Sequence, residues 1–176
     1  MPDDPPALAG LPARFDHVAI AGTSFEAMLP LYRDALGGRV RNGGVNTVLG
    51  FATVNVDFAA GRHVELVAPV EGSAFLDGFL RRTGGAGGLH HVTFLVPDIR
   101  AAVAALHDRG YATFGENLDD PVWAEAFVHP RDSGGVLLQV ARKRELAPGQ
   151  LGGAWTTIDV SELQRPAATT EGARSL

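Results

Sequence analysis

Apolar and polar residues alternate through "DHVAIAG" (16–22), the period-2 signature of a half-buried strand. The next run, "FEAMLPLYRDALGG" (25–38), has apolar residues at helical spacing and a Gly-Gly stop. Pro30 falls inside this run and is expected to kink the helix or limit its first turn. "TVNVDF" (53–58) and "HVELVAP" (63–69) return to alternation on either side of a turn at "AAG" (59–61). The same order recurs downstream: strand "HHVTFLV" (90–96), helix "DIRAAVAALHDRG" (98–110), then strands "EAFVHP" (125–130) and "GVLLQVARK" (135–143). Between the two series, "EGSAFLDGFLRRTGGAGG" (71–88) predicts a short amphipathic helix running into a glycine-rich linker.

A shift of 74 residues superposes the two series without a gap. It carries His17 onto His91, Asp34 onto Asp108, Gly61 onto Gly135 and Glu65 onto Gln139. It also pairs Ser24 with Asp98, both suited to cap the helix that follows. The expected organisation is a flexible N-terminus (1–14), a first module (15–70), a linker (71–88), a second module (89–143) and a C-terminal tail (144–176). Within that tail, Trp155 and "TTIDVSEL" interrupt a Pro/Ala/Gly-rich composition, which leaves open a short docked segment, against a partner subunit for example, or a loose tail.

Strand alternation puts His63, Glu65 and Val67 on one face and Val64 and Leu66 on the other. A carboxylate on a buried face without a partner is costly. Glu65 follows His17 by 48 residues, and Gln139 follows His91 by the same 48. A pseudo-twofold structure can therefore gather His17, Glu65, His91 and Gln139 into one cleft. Two imidazoles, a carboxylate and an amide oxygen suit one borderline divalent ion (Co, Ni, Mn, Zn or Fe), with positions left over for substrate oxygens. By the same alternation His90 points away from His91 and is the spare of the pair.

Composition narrows the chemistry. The 176 residues include no cysteine, so thiolate ligands and nucleophiles are excluded. A net charge of −5 argues against nucleic acid as a partner. The opening "MPDDPPALAG" has neither a basic nor an apolar signal region, and no apolar run is long enough to span a bilayer. The expectation is a cytoplasmic protein that does not engage membranes.

Taken together, "FDHVAIAG", "HVELVAP", "GLHHVTFLVPDI" and "HPRDSGGVLLQV" resemble the vicinal oxygen chelate superfamily, which includes glyoxalase I, fosfomycin-resistance proteins, extradiol dioxygenases and methylmalonyl-CoA epimerase. The likeness covers residues 15–142 and is strongest to the epimerase and its glyoxalase-like relatives. It implies an α+β fold of two tandem βαβββ modules forming an open, barrel-like cleft around a metal. It also implies metal ligands at His17, Glu65, His91 and Gln139, and commonly a homodimer.

The epimerase pattern has Gln at the position of Glu65 and Glu at that of Gln139, so carboxylate and amide are exchanged here. Some epimerases carry a further Glu where Asn55 stands. The activity implied is metal-dependent proton transfer α to a carbonyl, with Glu65 as the base and a small-molecule substrate such as an acyl-CoA thioester. Two-base epimerisation needs an acceptor on each face of the carbon. The candidates for a second base or cleft polar group are Asn55, Asp57 and His129, the last related to Asn55 by the repeat. The alternatives are a glyoxalase-like lyase acting on a thiol hemithioacetal, and a non-catalytic, resistance-type small-molecule binder.

Overall fold

The structure, a computed structural model, describes residues 11–144 and 155–165. The first module comprises β1 (Arg14–Ala21), α1 (Phe25–Leu29), β2 (Arg39–Asn46), β3 (Phe51–Phe58) and β4 (Arg62–Pro69). The second comprises β5 (Gly88–Leu95), α3 (Ile99–His107), β6 (Thr113–Asn117), β7 (Trp123–Val128) and β8 (Leu137–Lys143). The short helix α2 (Asp77–Arg82) lies between them, and β9 (Trp155–Thr157) follows. Both modules are βαβββ units of an α+β fold, as the sequence and its resemblance imply. No helix among the described residues is long and apolar enough to cross a membrane.

All nine strands join one sheet in the order β6-β7-β8-β5-β1-β4-β3-β2-β9. Within each module the first and last strands run parallel, β1 with β4 and β5 with β8. The modules meet where β1 and β5 pair antiparallel. The pseudo-twofold axis of the repeat therefore passes between the two histidine-bearing strands. Ser24 and Asp98 cap their helices as the pattern predicts: the Ser24 hydroxyl accepts from Ala27 N, and the Asp98 carboxylate accepts from Arg100 N and Ala101 N. Pro30 ends α1 after five residues, and the chain continues as a π-helical turn over Pro30–Ala35.

Each module packs its helix on the apolar face of its own strands. Met28, Leu29, Val40, Val54, Val56 and Leu66 form one core, and Val96, Ile99, Ala102, Val103, Ala126 and Val140 the other. Ala21, Val67 and Leu76 fill the seam beneath α2. Gly87 is required where the linker returns to the sheet: its φ is +72°, and a Cβ there would lie 2.2 Å from the Ala21 carbonyl oxygen.

Trp155 lies in β9, which pairs with β2 of the same chain. Beyond it Ile158, Val160 and Leu163 pack on the first core. The Arg33 guanidinium donates to the Leu163 carbonyl at 2.8 Å, and the Gln164 amide to the Val40 carbonyl at 3.2 Å. Gly43 makes room for this segment, since a Cβ there would lie 2.6 Å from Thr53 O and 2.8 Å from Ile158 Cδ1. Residues 1–10, 145–154 and 166–176, parts of the expected termini, lie outside the described residues.

Candidate metal centre

The pairing of β1 with β5 slips twice. Phe15 faces Phe94 and His17 faces Thr93, so Asp16 is an extra residue on β1. Ala19 faces His91 and Ile20 faces Leu89, so His90 is an extra residue on β5. Such bulges bend a strand and re-aim its side chains. Each extra residue immediately precedes a candidate ligand histidine, and each turns back onto that histidine. The Asp16 carboxylate lies 2.8 Å from His17 Nδ1, and His90 Nδ1 lies 2.9 Å from His91 Nδ1. The expectation that His90 points away is thus overturned, because strict alternation does not survive a bulge.

With both Nδ1 atoms engaged, the Nε2 atoms face the cleft. His17 Nε2 stands 3.8 Å and His91 Nε2 3.5 Å from Glu65 Oε2. Ligand atoms of His17, Glu65 and His91 all fall within 4.8 Å of one another. Among the described residues, His91 Nε2 is the one buried side-chain polar atom without a hydrogen-bond partner. A second group with metal-like spacing, Asp16, His17 and His63, shares His17 through its other edge.

Gln139 sits one hydroxyl away. Thr93, on β5 opposite both His17 and Gln139, is fully buried. Its Oγ1 donates to Gln139 Oε1 at 2.5 Å and touches His17 Nε2 at 3.1 Å. The other end of the amide donates to Glu125 Oε2 at 2.6 Å, and the same oxygen accepts from Trp123 Nε1 at 2.8 Å. Because a carboxylate only accepts, Glu125 fixes which end of Gln139 faces Thr93.

Burial raises the Glu65 carboxyl; His17 and a hydrogen bond from Thr53 only partly oppose this. Burial likewise raises Glu125 against the hydrogen bonds from Trp123 and Gln139. Burial, with His90 and His17 nearby, pushes the His91 imidazole down to about 3, so its ring is neutral at neutral pH. Burial alone would raise Asp16, but its hydrogen bond and charge interaction with His17 bring the net shift below the ordinary carboxylate value.

The three further polar candidates are occupied elsewhere. Asn55 lies opposite Glu65 in the β3–β4 register but donates its amide to Asn42 Oδ1 at 3.1 Å. Asp57 pairs with Arg41 Nε at 3.0 Å. His129 caps the turn Pro130–Asp132, its Nδ1 accepting from Arg131 N. The sequence pattern does not single out Glu125, Thr93 or Asp16; in the structure Glu125 lies between the fully buried Ala124 and Ala126 and so on the opposite face of β7.

Paired βαβββ modules with a His–Glu–His set at their junction define the class of protein. The Glyoxalase/Bleomycin resistance protein/Dioxygenase superfamily profile matches residues 16–122, and the chain belongs to that superfamily. Within it, the mitochondrial methylmalonyl-CoA epimerase of Mus musculus is 32% identical over 129 residues, 72% of this chain and 71% of the relative. The ethylmalonyl-CoA/methylmalonyl-CoA epimerase of Cereibacter sphaeroides is 30% identical over 131 residues, covering 72% of this chain and 96% of its own. A variant Streptomyces coelicolor methylmalonyl-CoA epimerase in complex with 2-nitronate-propionyl-CoA superposes with a TM-score of 0.64 at 28% identity, over 77% of this chain and 100% of that one.

Proposed function

We propose that the protein is a divalent-metal-dependent epimerase that removes and returns the proton α to the carbonyl of an acyl-CoA thioester of the methylmalonyl type. The observation that carries this reading is the buried, unpartnered His91 Nε2 converging with His17 Nε2 on Glu65. The epimerase relatives support the substrate class.

The donor set fits the implied ion. Two imidazole nitrogens and a carboxylate oxygen, with no thiolate in the chain, suit Co, Ni, Mn, Zn or Fe. His17, Glu65 and His91 would hold it, with Gln139 Oε1 as a fourth donor once released by Thr93. When bound, the ion supplies fixed positive charge against the negative charge that builds on the substrate oxygens as the proton leaves.

Glu65 is the assigned base, and its raised proton affinity brings it closer to the working pH of a general base. For the opposite face of the carbon the reading moves from Asn55, Asp57 and His129 to Glu125, the carboxylate held behind Gln139. The proposal also places the protein in the cytoplasm, where a CoA thioester would reach it, and takes it to be a homodimer, which sedimentation velocity tests directly.

The activity test is deuterium incorporation into methylmalonyl-CoA in D2O, followed by mass spectrometry on protein loaded in turn with each of the five metals. Exchange that falls at least about 100-fold in Glu65→Gln is expected. Metal uptake without exchange overturns the epimerase reading. Turnover of a hemithioacetal would then favour the lyase, and substrate binding without turnover the non-catalytic binder.

A further inference from the structure

The two bulges between β1 and β5 are related by the same 74-residue shift that relates the histidines, since it carries Asp16 onto His90. Each module therefore spends one extra residue immediately before its cleft histidine, and each extra residue meets Nδ1 of that histidine. In the first module the acceptor is a carboxylate, at 2.8 Å. In the second it is another imidazole, at 2.9 Å.

Two neutral imidazoles meeting Nδ1 to Nδ1 need one hydrogen between them, so one ring donates and the other accepts. The cleft decides which. His91 Nε2 is buried without a hydrogen-bond partner, and the side chain is 10% exposed. A hydrogen on Nε2 would have Glu65 Oε2 3.5 Å away but no hydrogen bond to it, so that buried N–H would keep its desolvation cost and would occupy the position that faces the other cleft ligands. The arrangement without that conflict has His91 donating from Nδ1 to His90, leaving a lone pair on Nε2. His90 is held for this task by the edge of the Phe79 ring on α2, 5.0 Å away between centroids.

We propose that His90 is a positioning residue: it accepts the Nδ1 hydrogen of His91 and so keeps the Nε2 lone pair of His91 aimed at Glu65 and His17. The consequence for metal binding rests on the metal reading above, whereas the tautomer itself does not. Ligating histidines generally have the far nitrogen engaged in this way, and removing such a partner costs about 10- to 100-fold in metal affinity.

The test uses the full chain with 15N-labelled histidine and no metal. Long-range 1H–15N spectra report which ring nitrogen of His91 carries the hydrogen. The wild type is expected to show it on Nδ1. His90→Phe keeps an aromatic ring beside Phe79 but removes the acceptor, and should shift His91 toward the Nε2–H form. His90→Asn restores an acceptor oxygen and should return it. The backbone amide spectrum reports folding, and His90→Ala serves if the Phe variant does not fold.

Cobalt(II) titration of the same proteins should then show binding weakened about 10- to 100-fold in the Phe variant and recovered in the Asn variant. A His91 that keeps its hydrogen on Nδ1 in both the Phe and Ala variants overturns the proposal. A wild type that binds no cobalt, while its tautomer still follows residue 90, overturns the metal reading and leaves the positioning role standing.

Discussion

On the metal reading, a change at Thr93 should act differently on the metal-free and the metal-loaded protein. The Thr93 hydroxyl contacts His17 Nε2 and Gln139 Oε1, on side chains that are 4% and 5% exposed. Thr93→Val preserves the shape and removes both contacts. Stranding a buried polar group costs about 1–3 kcal/mol, so the metal-free variant should lose about 2–6 kcal/mol of stability. With metal held by His17, Glu65 and His91 and Gln139 still bonded to Thr93, only the amide contact is left to lose, and the loss should be about half as large. The difference of about 1–3 kcal/mol must appear as tighter metal binding, about five- to 150-fold. Urea denaturation with chelator and with saturating cobalt gives the two stabilities, and competition against a chromophoric chelator gives the affinity. A variant that binds cobalt more weakly than wild type, or loses the same stability in both states, refutes the reasoning.

Glu125→Gln offers Gln139 a neighbour that both donates and accepts, so the amide is no longer fixed. α-Proton exchange should fall about 100-fold with metal content unchanged; an unchanged rate counts against Glu125 as an acid or base. Ile158→Ala should cost about 1–2 kcal/mol in urea denaturation because the side chain is only partly buried. Gly43→Ala strikes the same contact, so the double variant should fall short of additivity.

The metal-free protein should weaken as pH falls below about 6.5. The unfolded chain then takes a proton on His91 that the folded chain refuses down to about 3, and His63 and His90, also lowered by burial, act in the same direction. The His91 contribution is about 4–5 kcal/mol over the full window. Glu65 and Glu125, raised by burial, are protonated more readily in the folded state and offset part of the loss once pH falls through their folded values. A stability that rises from pH 7 to pH 5 under chelator would contradict these shifts.

The repeat made much of this legible. Because a 74-residue shift aligns His17 with His91 and Glu65 with Gln139, the paired βαβββ order and the gathering of His17, Glu65 and His91 follow from sequence and its resemblance. Three things did not follow. Alternation assumes regular pairing, and the bulge at His90 breaks that assumption where it pointed His90 away from His91, while the bulge at Asp16 has no mark in the pattern. The carboxylate Glu125 lies at a position whose repeat partner is Phe51, so the repeat gives it no matching carboxylate or amide. The docking of Trp155 through Leu163 depends on space left by Gly43 and on the Arg33 and Gln164 hydrogen bonds, contacts more than a hundred residues apart in the chain.

Duplication leaves the histidines equal and their neighbours unequal. Asp16 faces its counterpart role with a carboxylate where His90 has an imidazole, and Glu65 is a carboxylate where Gln139 is an amide. The first half therefore puts charge directly beside the histidines. The second half puts its carboxylate, Glu125, one amide behind them, while the corresponding Phe51 joins Phe75 and Trp155 in the aromatic contact that anchors β9. A carbon held between the halves meets different groups on its two faces. On the proposed reading Glu65 can act directly on one face, whereas Glu125 reaches the other only if Gln139 yields or relays. The symmetric part of the site then accounts for metal binding, and its asymmetric part must carry whatever distinguishes this protein from relatives with the carboxylate and amide exchanged.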